Sequence, residues 1–461
     1  MTANATRPRQ EREELVLTVG PPAHGGHCVA RPADDPSGRV VFVCHALPGE
    51  TVRAVMTEKN AKIWRADAVE ILSASPDRVE AIWPEAGPGG VGGAELGHVA
   101  LPAQRTWKRW VLADCLRRIG GEEVASAVAA LPEAGGAGAV PVEPMASEAA
   151  AEASGTARVR ARAGTGTRTR VALVVDDEGR VGMHAFRSGR VVPVRSLPLA
   201  VPAIRDLGLT ERAVWRHHYR SGLRIRAIAP SRGEPVVLLS DGREDRVLTV
   251  SGRPTGRRRV EEVVDASGPG LGELRYTVHV SGFWQVHRDA PAALVERVVR
   301  AAVPDPARAG AARVLELYSG AGLLTLPLAA LGCEIRSLEA DERAVRDARR
   351  TLHDFGAARL HVGRAGADSV ASLGSGFGPG RDGRADVVVL DPPRRGAGRE
   401  VVEAVAALRP RRIVLVGCDP AALARDLRTF IGRGCRIVAM SALDMFPHTH
   451  HFETIAVLEG A

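Results

Sequence analysis

The residues with the most chemical promise lie in the last third of the chain. In LVGCDPAALARDL, Cys418 ends an apolar run just before a helix that starts near Pro420. The field at a helix N-terminus favours a thiolate, which makes Cys418 a candidate nucleophile; a small buried core residue is the alternative. In DMFPHTHHFETIAVL, Glu453 follows His448, His450 and His451. Three histidines invite a metal reading, but neither a helical HxxxH spacing nor a partner carboxylate is evident, so no metal site is expected. In VLELYSGAGLLTLPLA, an apolar strand ending at Glu316 enters a loop with Gly320 and Gly322, and a helix begins near Leu323. Glycines there let the backbone approach a ligand and leave the helix N-terminus open, although a tight strand-to-helix turn would read the same way. Glu339 ends the next strand, about 20 residues on, where an acid binds ribose hydroxyls. Thr325 stands where GxGxxG would have its last glycine, so a nicotinamide cofactor is the weaker reading.

A fourth run, VVVLDPPRRG, ends an apolar strand at Asp391, and Pro392 and Pro393 stiffen the exit. Ligands bind at the C-terminal ends of parallel strands, and methyltransferases acting on planar bases often carry a D/N-P-P-x loop there. Gln285, in SGFWQVH, lies between aromatics just before a helix and alone says little.

These motifs need a scaffold that brings strand ends together. From Gly282 onward, strand and helix patterns alternate as in βαβ units, so residues 281–461 are expected to form a Rossmann-like α/β domain with a mostly parallel sheet. Upstream, short β-like runs over about 14–75 suggest a small barrel of the oligonucleotide-binding kind. Residues 1–13 are expected to be a disordered tail. Residues 76–280 read as a central α+β domain, interrupted by an Ala/Gly-rich flexible insert over about 133–168. Near its start, LPAQRTWKRWVLADCLRRIG is a basic helix. Its Lys108, Arg109, Arg117 and Arg118 could meet RNA phosphates or form a solvated face over a tryptophan stripe.

The chain has 461 residues and a formal net charge of +8, which favours polyanionic partners only weakly. The six cysteines form no CxxC pair, so neither a zinc site nor a disulfide framework is expected. No apolar run is long enough to span a bilayer and the N-terminus lacks a signal-peptide core, so a cytoplasmic protein without membrane association is expected.

Together the motifs resemble those of the RNA (uracil-5-)-methyltransferases. RVVFVCHALPGETVRA is similar to their N-terminal TRAM barrel. SGFWQVH, LELYSGAG, LDPPRRG, GCDPAALARDL and DMFPHTHHFE follow the family's order. The resemblance implies S-adenosyl-L-methionine as cofactor and ribosomal or transfer RNA as partner, with no stable protein partner. It implies Cys418 as nucleophile and Glu453 as general base. It further implies Gln285, Tyr318, Gly320, Gly322, Glu339 and Asp391 as cofactor-binding residues, Asp391 also lying near the target base. Many relatives carry an iron–sulfur cluster, but Val91 and Ala94 stand here where two of its cysteines would be, so no cluster is expected. Two other readings remain at this point. One is a methyltransferase of the DPPx type acting on a base amine, which would need neither Cys418 nor Glu453. The other is a non-catalytic RNA-binding factor.

Overall fold

In the strand Thr51–Lys59, Val52, Ala54 and Met56 point inward while their neighbours face solvent. This period of two lets one face of a strand line a core. Five such strands close a barrel, in the order Glu14–Ala23, His27–Pro32, Val41–Cys44, Trp64–Ser73 and Thr51–Lys59. The computed structural model describes residues 13–377 and 383–460. Except for Glu13, which ion-pairs with Lys59, the expected tail at 1–13 lies outside the described residues.

The barrel belongs to a unit that runs through Gln104 and includes Ala185–Ser188 and His448–His450. The first unit therefore extends beyond the boundary expected at residue 75. Buried polar groups explain the extension. Glu50, fully buried in the barrel, ion-pairs with Arg78 and accepts the Ser75 N–H at 3.1 Å. Gln104 donates to the carbonyls of Leu96 and Val99 and accepts the His448 N–H at 2.7 Å. Val91 and Ala94 are buried apolar residues of this unit.

The second unit contains two sheets and a hairpin. Six antiparallel strands run in the order Asp245–Leu248, Val236–Ser240, Arg224–Ile228, Arg170–Val175, Val181–His184 and Val191–Pro193. The larger sheet has eight strands: Ala358–Val362, Glu334–Glu339, Arg313–Leu317, Val387–Leu390, Arg412–Gly417, Glu453–Glu459, Arg436–Leu443 and Val142–Glu143. The first five are mutually parallel, and Glu453–Glu459 enters antiparallel beside Arg412–Gly417. Residues 387–390 and 413–416 are buried on both faces, as a sheet covered by helices requires. The α/β class, the Rossmann-like sheet and the N-terminal barrel are as the sequence leads one to expect.

The hairpin Arg259–Asp265/Glu273–His279 packs Val260, Val264, Tyr276 and Val278 into the core shared with Leu294 and Val298. Asp347 fastens it by pairing with Arg259 and accepting the His279 N–H, both at 2.7 Å. The core of the C-terminal α/β domain thus begins before residue 281.

Residues 133–168 depart from the flexible insert expected. Val142–Glu143 pairs in parallel with Ala442–Leu443 and forms the eighth strand. Met145 is buried in the main core, and Glu152 at the end of the helix Ala146–Glu152 forms a two-pronged pair with Arg105. Small side chains bury little area each, which is why composition suggested a linker. Edge pairing uses backbone groups, however, and needs few large anchors. The basic helix also differs from one of its two readings. Lys108 is buried against Asp444 and donates to the Phe446 carbonyl, and Arg109 donates to the carbonyls of Ala134 and Ala139. Neither cation faces a solvent phosphate, whereas Arg117 and Arg118 do lie in solvent beside Asp114.

Candidate active site

The strand Arg313–Leu317 sits between Glu334–Glu339 and Val387–Leu390, so the loops that follow all three leave side by side. The Asp391 N–H still donates to Leu317 O, at 3.4 Å, as its strand ends. Tyr318 turns the first loop with φ +66°, a left-handed geometry that costs a non-glycine residue about 1–2 kcal/mol. Its N–H donates to Leu338 O at 2.8 Å, which holds the strained turn. Gly320 and Gly322 continue with φ +55° and +88°.

The two glycines do different work. A Cβ on Gly322 would stand 3.3 Å from the Ala348 Cβ, so that glycine lets the loop pack on the helix Glu342–Thr351. A Cβ on Gly320 would meet nothing within 4 Å, so the loop faces open space there. Glu339 fixes this shape: one carboxylate oxygen accepts the Gly320 N–H at 3.0 Å and the other accepts the Asp341 N–H at 2.7 Å. Each oxygen keeps a further lone pair for a hydroxyl. An open glycine cradle with an acid at its rim fits a nucleoside ligand such as S-adenosyl-L-methionine. Gln285 enters from a separate loop and is mostly buried. Trp284 beside it packs on Tyr276 with ring centroids 5.1 Å apart, and the Tyr276 hydroxyl donates to Leu323 O at 2.9 Å.

Behind the cradle, Glu316 is buried and accepts the Thr325 hydroxyl at 2.6 Å. Burial pushes its carboxyl up to about 8, with smaller contributions from the charges of Asp391 and Glu339. The sequence displays Glu316 only as a strand terminus; an acid inside an apolar strand was the available signal.

Cys418 and Glu453 come together through strand pairing. Gly417 faces Thr454 in the antiparallel ladder, so Cys418 and Glu453 lie one step further along at the same sheet end. Cys418 is half-buried and forms no disulfide. Burial pushes its thiol up to about 12, aided by the charges of Glu453 and Asp391 and opposed by Arg394. This reverses the direction expected from the helix N-terminus. Burial and carboxylates outweigh that field, and Asp419, which caps the helix by accepting the Ala422 N–H at 2.8 Å, adds another negative charge. Glu453 is buried, and its Oε1 has no hydrogen-bond partner among the described residues. Burial and then Asp391 hold its carboxyl well above the usual range, while Arg394 opposes them. Burial raises Asp391 to about 6.

A cleft open to solvent is lined by Cys418, Pro392, Arg394 and Asp426, among others. Asp426, which the sequence reading missed, accepts the N–H groups of Ala397 and Gly398 at 2.7 and 3.1 Å. It thereby ties the loop after Asp391 to the helix after Cys418.

The histidine run is built differently. Glu95 supplies the carboxylate that the sequence did not reveal; it pairs with the His450 ring and accepts the His450 N–H at 3.1 Å. The Glu95 carboxyl is buried, yet its contacts with His450 hold it at about 2. His448, with φ +67°, accepts the Leu96 N–H at 2.9 Å. Glu95, His448 and His450 thus brace the N-terminal unit.

The comparisons with known proteins agree with this architecture. Residues 273–460 match the family model described as tRNA (Uracil-5-)-methyltransferase. An uncharacterized RNA methyltransferase of Streptomyces avermitilis is 37% identical, over 97% of this chain and 99% of that protein. The 23S rRNA (uracil(1939)-C(5))-methyltransferase RlmD of Alkalilimnicola ehrlichii is 31% identical, over 98% of each chain. Among solved structures, the tRNA (uracil-54, C5)-methyltransferase of Pyrococcus abyssi, in complex with S-adenosyl-L-homocysteine, shares the fold. Its TM-score is 0.64 at 21% identity, covering 96% of this chain and 100% of that one. The chain belongs to the RNA (uracil-5-)-methyltransferase family, whose methyl donor is S-adenosyl-L-methionine.

Proposed function

We propose that this protein methylates carbon 5 of a specific uridine in ribosomal or transfer RNA through a covalent adduct between Cys418 and carbon 6 of the base. The observation that carries the reading is the meeting of Cys418, Glu453 and Asp391 at one sheet end, beside the cradle of Gly320, Gly322 and Glu339.

Gln285, Tyr318, Gly320, Gly322, Glu339 and Asp391 would hold the donor, which supplies an electrophilic methyl on a sulfonium. Carbon 5 of uracil is too weak a nucleophile to take that methyl unaided. Glu453 in its ionised form accepts the thiol proton, and the Cys418 sulfur bonds to carbon 6, leaving an enolate that makes carbon 5 nucleophilic. Carbon 5 then takes the methyl, with the methyl–sulfur bond breaking so that the donor would leave as a neutral thioether. The proton held by Glu453 leaves through Asp391, the carboxyl that influences it most. Glu453 next removes the carbon 5 proton, the sulfur–carbon 6 bond breaks, and Cys418 recovers its proton. One proton is released per methyl transferred. Glu453 and Asp391 raise the proton affinity of Cys418, and Asp391 raises that of Glu453, so the negative charge rests most readily on Asp391, while Arg394 opposes the rise at Cys418 and Glu453.

The base must leave its stack to reach the cleft, which costs least in a single-stranded loop. The barrel offers a surface for such RNA, where Arg39 and Lys59 lie 5.1 and 4.5 Å from the centre of the Trp64 ring. Cations around an aromatic face suit both phosphates and stacked bases. The decisive experiment supplies RNA containing 5-fluorouridine with S-adenosyl-L-methionine. A denaturation-resistant adduct at Cys418, absent from Cys418→Ala, is expected. An active preparation that methylates RNA without one would overturn the mechanism and favour amine methylation.

A further inference from the structure

The turn that carries Gln285 is held by residues outside the parallel sheet. The Thr169 N–H and hydroxyl both donate to Val286 O, at 2.8 and 3.0 Å, and the Arg288 N–H donates to Thr167 O at 2.9 Å. The helix Ala146–Glu152 supplies the rest. The Ser147 N–H donates to Asp289 Oδ2 at 2.8 Å, and His287 Nε2 lies 3.0 Å from Glu148 Oε1. His287 and Glu148 are only 2% and 1% exposed.

The ring's protonation pattern follows from its partners. The Asp289 N–H donates to His287 Nδ1 at 3.1 Å. A ring nitrogen that accepts an N–H carries no proton, so the proton sits on Nε2 and is donated to Glu148. The imidazole therefore cannot swing without stranding a buried donor or acceptor. Glu148 has a further stake in the contact, since its Oε2 is buried without a partner among the described residues.

We propose that Glu148 and His287 form a buried carboxylate–imidazole brace that positions Gln285 for the methyl donor. Glu148 and His287 are positioning residues, acting through the turn and not on the reacting atoms. The Ala/Gly-rich segment that contributes Glu148 is thereby part of the donor site's support. The inference rests on the reading of Gln285 as a donor contact.

The test measures S-adenosyl-L-methionine affinity by calorimetry on the full chain, together with kcat and KM for the donor. Glu148→Ala is expected to weaken donor binding about tenfold and raise the donor KM alike, with kcat at saturating donor within about twofold, since only placement is lost. Glu148→Gln keeps an acceptor for Nε2–H and is expected to bind within about threefold of the native chain. Should Glu148→Ala fail to fold, His287→Asn reads the same loss, because the shorter amide cannot span both partners. Glu148→Ala binding the donor normally, while Gln285→Ala binds it weakly, overturns the brace alone. Gln285→Ala binding normally overturns the role of Gln285, and the brace with it. No binding by the native chain would instead remove the donor-site reading itself. The ligand atoms of Glu148, His287 and Asp289 also lie within 4.8 Å of one another. A rise in melting temperature with Zn²⁺ or Mn²⁺ that His287→Asn abolishes would mean that they chelate a cation, and would overturn the brace.

Discussion

Glu453 is the strongest charged neighbour of the Cys418 thiol, and it opposes the thiolate. Burial alone raises the thiol most, and the Glu453 charge adds to it, bringing the group to about 12. A thiol held in its protonated form at rest reacts only slowly with stray electrophiles. Under the proposed mechanism its proton moves when the uracil arrives, and the group proposed to receive it is the one that suppresses the thiolate.

Replacing Glu453 with Gln should therefore separate reactivity from turnover. Removing the negative charge lowers the thiol pKa, so alkylation of Cys418 by iodoacetamide, followed by mass spectrometry against pH, should quicken at alkaline pH, where the native Glu453 carboxyl is ionised. Turnover should fall by about 10²–10⁴, the usual worth of a general base. The methylated adduct should accumulate, because the carbon 5 proton has no acceptor. Slower alkylation in this variant would show that Glu453 does not set the thiol.

Arg394 acts with the opposite sign, lowering the proton affinity of both Cys418 and Glu453. Arg394→Gln should slow alkylation of Cys418 and shift the alkaline rise of kcat/KM to higher pH. Arg394 is exposed, so the shift should shrink between low salt and about 1 M salt, where the Debye length falls to about 3 Å. A salt-independent shift would point to a structural effect of the substitution.

The sequence discloses some of this and hides the rest for physical reasons. Glu339, Asp391 and Cys418 each end an apolar strand, and strand ends in a parallel sheet converge, so their neighbourhood follows from local pattern. The direction of the Cys418 shift does not, because it depends on which charges the fold brings near, and Glu453 arrives from an antiparallel strand 35 residues later. Lys108 looks like a solvent cation because its partner Asp444 is distant in sequence. Glu148 lies in a stretch whose composition suggests a linker, and only the docking of that stretch on the turn at His287 reveals its place.

Glu316 gives a prediction about stability. Its carboxyl is raised in the folded chain to about 8 from an ordinary value of 4.5. The folded state thus holds a proton that the unfolded state releases, and this contribution is complete below about pH 4.5 and lost as pH rises through about 8. Glu316→Gln can still accept the Thr325 hydroxyl and never ionises. Its melting temperature relative to the native chain should rise between pH 5 and pH 9, by several degrees at the alkaline end. A difference that stays flat across that range would mean that Glu316 ionises freely in the fold.

Gly320 and Gly322 offer the sharpest contrast, because both have positive φ but meet different surroundings. Alanine at either position incurs backbone strain of about 1–2 kcal/mol. At Gly322 the new methyl would also press on the Ala348 Cβ at 3.3 Å, so the loop must lift from its helix and the melting temperature should fall by more than at Gly320. At Gly320 the methyl meets no protein atom within 4 Å and projects into the open space that the donor is proposed to fill. Gly320→Ala should therefore weaken S-adenosyl-L-methionine binding by at least about tenfold for a modest loss of stability, measured by calorimetry and thermal melting on the same samples. If Gly320→Ala loses stability as Gly322→Ala does while binding the donor normally, the open side of the loop is not the donor's seat.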